Sequence, residues 1–274
     1  MKFILIDGSY YIFYRYYALK TWWSHANKSF GGAAECGPNN TVFMDKFRTV
    51  FIKSIQDLPK TIGISKTKKE MANDPPIIMV GKDCPRADIW RTKIHPTYKD
   101  GRASDNDIGA AFSMVYKEDL YTKGGSKSIL SDPSLEADDC IAITARHIVD
   151  TYPDAHVWII TSDMDYLQLS SDNIHLFTAN GKSLTNKKDS WNDPKKDLFC
   201  KIVSGDKSDN ITGVFARCGM KTAGKYYDDP ELFTSKLKQT PGAEEKFKFN
   251  QTLIDFDNIP PEFVERFRKD CLKL

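Results

Sequence analysis

The 274-residue sequence predicts an α/β protein built on a mostly parallel central sheet flanked by helices. Three observations point there. Apolar runs of four or five residues, such as Ile77-Ile78-Met79-Val80 and Val157-Trp158-Ile159-Ile160, read as buried strands. Segments of helical periodicity alternate with them. From about residue 195 the strand signals stop, and the remainder reads as helical with basic turns.

The elements are taken in chain order. Lys2-Phe3-Ile4-Leu5-Ile6 reads as a strand ending at Asp7-Gly8-Ser9, and Tyr10 to Tyr17, with Arg15 inside it, as the start of a helix packed on the sheet. Residues 24–40 are rich in Gly, Asn and Ser and read as an exposed loop. Val42, Phe43, Phe47, Val50, Phe51, Ile55 and Leu58 give residues 41–59 helical spacing. A second strand, Ile77 to Val80, leads to Asp83, and residues 84–106 are polar and basic with no clean core face. Residues 107–121 form an amphipathic helix, and Ser134 is the expected N-cap of a helix over 135–150. A third strand, His156 to Ile160, ends at Thr161-Ser162-Asp163-Met164-Asp165, a helix comes next over 165–170, and Ile174 to Phe177 is a fourth strand. The organisation expected is an α/β core over 1–195, with an insertion at about 84–106, and a helical part over 196–274.

Composition narrows the class. Hydrophobic residues are 41% and charged residues 28%, which supports a packed core and excludes wholesale disorder. The longest apolar runs are far below the ~20 residues of a membrane-spanning helix, and Asp7 stops the N-terminal run too early for a signal peptide. The expected location is intracellular. Six scattered cysteines (Cys36, Cys84, Cys140, Cys200, Cys218, Cys271) include no C-x-x-C pair, so they read as thiols in a reducing compartment rather than zinc or redox ligands. The net charge is only +2, yet residues 82–102 carry Lys82, Arg86, Arg91, Lys93, Lys99 and Arg102 against three aspartates.

Three of the four predicted strands lead into an acid: Asp7, Asp83 and the pair Asp163/Asp165. In open α/β sheets the crevice beyond the strands' carboxyl ends is where ligands bind. Glu136, Asp138 and Asp139 at a helix start, and Asp206 and Asp209 in Gly-Asp-Lys-Ser-Asp-Asn, complete nine carboxylates in five short motifs. A lone Asp after a strand is ordinarily a cap or turn residue; five such motifs in this order favour a shared site. Carboxylates packed together repel and are hard to ionise unless a cation joins them, and an all-oxygen set favours Mg²⁺ or Mn²⁺ over zinc. Asp206 and Asp209, three apart, can share a helix face. Glu136 and Asp138 lie about 200° apart on a regular helix, so they converge only if Glu136 sits before the helix or at its edge.

These motifs together resemble the flap endonuclease and 5′→3′ exonuclease family, with a PIN-like nuclease core, and within it the phage-type 5′ nucleases called RNase H. The matching stretches are LIDGS (5–9), VGKDCPRADIWRTKIHPTYKDGR (80–102), LEADDCIA (135–142), ITSDMDYLQL (160–169) and IVSGDKSDNITG (202–213), and Asp255-Phe-Asp-Asn-Ile-Pro-Pro261 echoes the phage members. The resemblance implies two Mg²⁺ ions, replaceable by Mn²⁺, held by Asp7, Asp83, Glu136, Asp138, Asp139, Asp163, Asp165, Asp206 and Asp209, and in-line phosphodiester hydrolysis leaving a 5′-phosphate. It makes residues 84–106 a helical arch, with Lys99 and Arg91 as catalytic cations, Tyr98 as a base-stacking platform, and Lys93 and Arg102 on phosphates. Residues 198–226 become a helix–turn–helix gripping duplex DNA, with Lys207, Lys221, Thr222 and Lys225 as DNA contacts and Arg15 joining them from the first helix. The family's potassium ion in that loop is also implied, but here the sequence departs: Val214 to Met220 replaces the usual glycine-rich run, two glycines are missing and the loop is one residue longer.

The function expected is that of a monomeric, structure-specific 5′ nuclease acting on 5′ flaps, nicks or 5′ ends of DNA, and on RNA–DNA hybrids, in primer removal, replication or repair. No sliding-clamp motif is legible after residue 260, and no membrane partner is expected. A PIN-type ribonuclease shares the core and several acids but lacks the arch and the Gly-Asp-Lys-Ser-Asp-Asn motif. A non-catalytic DNA junction-binding protein would be expected to have lost some of the acids.

Overall fold

The computed structural model describes residues 1–26, 36–65, 67–101 and 106–272. Five parallel strands form one sheet in the order β3-β2-β1-β4-β5: β1 (Lys2–Asp7), β2 (Ile77–Gly81), β3 (Ser128–Leu130), β4 (His156–Ile160) and β5 (Ile174–Phe177). The first helices are α1 (Gly8–Ala26), α2 (Thr41–Gln56), α3 (Leu58–Thr61) and α4 (Lys68–Asn73). Then come α5 (Trp90–Ile94), α6 (Asn106–Lys117), α7 (Leu120–Lys123) and α8 (Ala137–Thr151). The last five are α9 (Pro194–Ser204), α10 (Met220–Asp228), α11 (Pro230–Gln239), α12 (Ala243–Ile254) and α13 (Pro261–Cys271).

β1 is the middle strand, and Phe3 to Ile6 are all buried because both sheet faces are covered. Phe3 and Leu5, with Met79, Val157 and Ile159, face a core completed by the buried side of α8. Ile4 and Ile6, with Ile78, Val80 and Ile160, face Tyr11, Ile12 and Tyr16 of α1 and Phe43, Phe47 and Phe51 of α2. Phe256, Ile259, Phe267 and Leu272, from α13 and the turn before it, belong to the α8-side core, so the chain returns to the sheet after its helical excursion. That excursion has its own core, formed by Cys200, Val203, Val214, Phe215, Ala223 and Ala243.

Several sequence expectations are revised. The three-residue β3 is too short to give a periodic signal. The helix expected over 107–121 is two helices, broken at Asp119, which adopts φ 52°. The helix expected from Ser134 begins at Ala137 with Glu136 as N-cap. The helix after Asp163 is a 3-10 turn over Met164–Leu169, capped by the Asp163 carboxylate. Residues 84–101 do have a core face: Ile89, Trp90 and Tyr98 are 4%, 2% and 3% exposed, and Ile89 and Tyr98 pack with Ile202, Ile211, Leu253 and Ile254. Trp90 and Tyr98 carry polar tips, so composition alone makes this stretch look solvated. Of the loop expected over 24–40, residues 24–26 end α1, 36–40 form a turn, and 27–35 lie outside the described residues.

One close approach fixes where the first turn of α8 sits. A Cβ at Gly81 would lie 2.8 Å from the Ala137 carbonyl oxygen and 2.8 Å from the Ile141 side chain. Only glycine lets the end of β2 touch that turn, which carries Asp138 and Asp139. Gly81→Ala is therefore expected to lower the unfolding free energy by about 1–3 kcal/mol through overpacking. Urea denaturation compared with wild type checks this; an unchanged midpoint would show that the contact yields freely.

Candidate active site

The acids gather where the sheet topology directs them. β1 lies between β2 and β4, and the carboxyl ends of these three strands deliver Asp7, Asp83 and, through the 3-10 turn, Asp163 and Asp165. Asp7 accepts from the Tyr10 amide at 3.0 Å and from the Thr161 hydroxyl at 3.3 Å. Asp83 accepts from the Ala137 amide at 2.9 Å and from the Ser9 hydroxyl, which ties the ends of β1, β2 and α8 together. Glu136 stands at the N-cap, outside the regular helix, which meets the condition for it to converge with Asp138.

Asp206 and Asp209 arrive on a turn after α9. Gly205 bends the chain at φ 73°, and Asp206 caps the 3-10 turn Lys207–Asp209 by accepting from the Ser208 amide and hydroxyl, both at 2.7 Å. Asn210 donates to the Thr97 and Asp100 carbonyls at 2.8 and 2.9 Å, and the Lys99 amide donates to the Asp209 carbonyl at 3.3 Å. The root of the expected arch and the Asp206–Asn210 loop are thus hydrogen-bonded into one unit.

Among the described residues, two sets of three carboxylates have oxygens within 4.8 Å of one another: Glu136, Asp138 and Asp139, and Asp165, Asp206 and Asp209. Crowding sets their protonation. Burial first, then the charges of Asp83 and Asp163, push Asp7 up to about 7. Burial and Asp163 push Asp165 up to about 7 against the pull of Lys201. Asp138 is raised well above the ordinary range by burial and by Glu136 and Asp139. Glu136 and Asp206 go the other way: burial disfavours their charge, but Lys99 with Arg91 holds Glu136 below its usual value, and Lys201 does the same for Asp206. Lys99 binds Glu136 directly and lies 3.9 Å from Asp209, while Lys201 bridges Asp165 and Asp206 at 2.7 and 2.6 Å. Sequence reading missed Lys201. It lies in the last turn of α9, five residues before Asp206, and only the tertiary fold turns it onto two acids.

Four of the expected site residues are held by partners within the protein. Asp139 is fully buried, and its oxygens accept from Arg91 at 2.8 and 2.8 Å and from the Trp90 indole at 3.0 Å. Arg91 is 2% exposed and donates to Asp139, Glu136 and the Leu253 carbonyl. Tyr98 is buried and donates to Glu136 at 3.1 Å instead of presenting a ring to bases. Arg15 lies over the Tyr11 and Tyr14 rings and donates to the Ala179 carbonyl at 3.3 Å. Lys93, Lys207, Lys221, Thr222 and Lys225 are exposed, the last three on α10, whose N-cap Gly219 has no side chain to satisfy the first amides. Arg102 lies outside the described residues.

The Arg91–Asp139 pair makes a testable case. Arg91→Met strands a buried carboxylate and is expected to cost about 3–5 kcal/mol of stability, whereas Arg91→Met combined with Asp139→Leu is expected to recover most of it. Chemical denaturation of both variants decides; a mild single-variant effect would mean that the pair is solvated.

The comparisons with known proteins bear on the same segments. The family of the 5′-3′ exonuclease N-terminal resolvase-like domain matches residues 2–199. The chain is 25% identical over 248 residues to a 5′-3′ exonuclease of Buchnera aphidicola, covering 87% of this chain and 76% of that protein. It is 25% identical over 193 residues to DNA polymerase I of Rhizobium leguminosarum, covering 69% of this chain but spanning only 18% of the polymerase. Among solved structures, the bacteriophage T5 D15 flap endonuclease in complex with DNA and metal ions superposes with a TM-score of 0.65 at 20% identity, over 99% of this chain and 98% of that one, and so shares its fold. The family match runs through every strand that delivers an acid and through the first turn of α8, and by it the chain belongs to the 5′-3′ exonuclease family.

Proposed function

We propose that the protein is a structure-specific 5′ nuclease that hydrolyses phosphodiester bonds of flapped, nicked or 5′-ended DNA, and of RNA–DNA hybrids, in primer removal or repair. One observation carries the reading. Carboxylates that repel one another converge at the ends of three parallel strands, and two lysines reach into them where a cation is required. The name of the Buchnera relative and the DNA and metal ions of the T5 structure favour the same activity.

The donor set is all oxygen and suits two Mg²⁺ or Mn²⁺ ions. Asp7, Asp83, Glu136 and Asp138 would hold one, and Asp163, Asp165, Asp206 and Asp209 the other. Such ions supply an activated water at neutral pH and charge stabilisation for the leaving 3′-oxygen. Lys99 would exchange its ion pair with Glu136 for the phosphate as negative charge develops there, with Arg91 and Tyr98 fixing Glu136 from behind. The free amides and lysines of α10 would take duplex phosphates, and Lys93 and Lys207 would add steering charge. The potassium ion implied for the helix–turn–helix loop is no part of the reading, because Val214 to Met220 replaces the glycine-rich run there. In this reading residues 1–195, with Asp206, Asp209 and the returning α13, supply the catalytic core, the intervening helices supply the duplex grip, and a monomer suffices.

The test is cleavage of a labelled 5′-flap duplex with and without Mg²⁺. Asp138→Ala and Asp163→Ala are expected to abolish cleavage while retaining substrate on a filter, and Lys99→Ala to slow single-turnover cleavage more than it weakens binding. A rate within about tenfold of wild type, about 1.4 kcal/mol of barrier, removes that residue from the mechanism.

The raised acids also set a pH dependence. Asp7 and Asp165 rise from 3.8 when unfolded to about 7 when folded without metal. At these two groups the folded state then binds more protons than the unfolded state, so their contribution to metal-free stability is full below the unfolded value and is lost as pH rises through about 7. Thermal unfolding in chelator across this window is expected to show that decline, with Mg²⁺ reversing it at the alkaline end. A metal-free melting temperature that climbs with pH would contradict the crowded-acid site.

A further inference from the structure

We propose that Tyr116 is a positioning residue of the metal site: its hydroxyl, left without a hydrogen bond in the metal-free fold, donates to the Asp83 carboxylate when a divalent ion is held there. The proposal deepens the nuclease reading and rests on its metal site.

Tyr116 stands in the last turn of α6, far from the acids in sequence but not in space. Its hydroxyl lies in the slot between the ends of β1 and β2. A Cβ at Gly8 would be 3.0 Å from that hydroxyl, 3.1 Å from the Val80 side chain and 2.5 Å from the Gly81 carbonyl oxygen. The two strands that frame the slot lead to Asp7 and Asp83. Neighbours hold the ring in place. The Lys82 ammonium lies 4.6 Å from its centroid, and the Tyr121 ring packs at 6.1 Å while its own hydroxyl donates to the Gly8 carbonyl at 2.7 Å.

The Tyr116 hydroxyl is buried, and among the described residues no atom pairs with it. Native interiors seldom leave such a group unmatched, because water satisfies it in the unfolded chain. A phenylalanine would fill the same apolar surroundings without that cost. The unpaired hydroxyl therefore points to a state in which it has an acceptor. Burial raises its pKa, and the charges of Asp83 and then Asp7 raise it further, so the phenol keeps its proton, and Asp83 is the acid that acts on it most strongly. Asp83 has room for another donor. Its Oδ1 accepts from the Ala137 amide and its Oδ2 from the Ser9 hydroxyl, which leaves lone pairs free on an ionised carboxylate. Its neighbour Asp7 is already held by hydroxyls, those of Thr161 at 3.3 Å and Tyr166 at 3.5 Å. Carboxylates that ligate a metal are themselves held by outer hydrogen bonds, and those partners set aim and affinity. Loading the site relieves the repulsion between Asp83 and Asp7, and the phenol then keeps Asp83 in its ligating orientation.

Calorimetric titration of the full chain with Mn²⁺, in wild type and Tyr116→Phe, tests the proposal. The variant keeps the ring and removes only the hydroxyl. Its Mn²⁺ affinity is expected to fall about tenfold, while its melting temperature in chelator stays equal or rises, since an unpaired buried hydroxyl has gone. Unchanged affinity overturns the proposal. So does a loss of affinity accompanied by a lower metal-free melting temperature, because the hydroxyl then has a partner before the ion arrives. Near-ultraviolet difference spectra give a second readout. A phenol that donates to a carboxylate absorbs farther to the red, so Mn²⁺ is expected to red-shift a tyrosine band in wild type more than in the variant. A wild-type spectrum without that shift overturns the proposal whatever the variant does. Failure of wild type to bind Mn²⁺ sinks the metal-dependent nuclease reading and this proposal with it, whereas binding that the variant fully shares sinks only the role of Tyr116.

Discussion

Electrostatic repulsion among carboxylates is the constraint around which this molecule is arranged. Parallel strands deliver Asp7, Asp83 and Asp163 to one edge of the sheet, and α8 and the Asp206–Asn210 loop bring more acids to meet them. Such a cluster would open the fold if nothing opposed it. Three cations do so in different ways. Arg91 is sealed in the core and neutralises Asp139 permanently, whereas Lys99 and Lys201 bridge acids at the rim, where their pairings are exchangeable. The buried pair stabilises the scaffold, and the rim pairs leave the site responsive to whatever cation or anion enters.

Much of this was legible in the chain. Strand ends followed by acids predicted both the sheet and the crevice, because a buried parallel strand is a local signal and the topology of such sheets fixes where its end points. The angular argument about Glu136 and Asp138 required Glu136 to stand outside the helix, and it is the N-cap. What the chain left illegible has a common cause. The family resemblance placed Arg91 and Tyr98 on the substrate and Asp139 on a metal, and nothing local in the sequence shows the mutual pairing that makes their burial tolerable. Pairing across 48 residues leaves no periodic trace. Lys201 escaped for the same reason, since nothing local distinguishes it from the other lysines of α9.

The segment after β2 shows how one stretch serves two purposes. Ile89, Trp90 and Tyr98 anchor it between the sheet domain and the helical part, while Lys93 and Lys99 stay on the outer side or at the rim. Its hydrogen bonds to the Asp206–Asn210 loop mean that the second set of acids and the basic segment shift together or not at all. Motion here would change charge and access in one step, which suits a site that must admit a polyanion to a nest of acids.

The return of the chain to the sheet has a consequence for modularity. Phe256, Ile259 and Phe267 fill the same core as Phe3 and Leu5, so the last helix completes what the first strand begins. The helical excursion is a long loop inserted into an α/β body rather than an appendage hung from its end. Recombination could not graft that loop onto another protein by a single junction, nor shed it by truncation, without leaving an apolar gap beneath α8. The acids and the helices beyond them are therefore held as one piece by a single core.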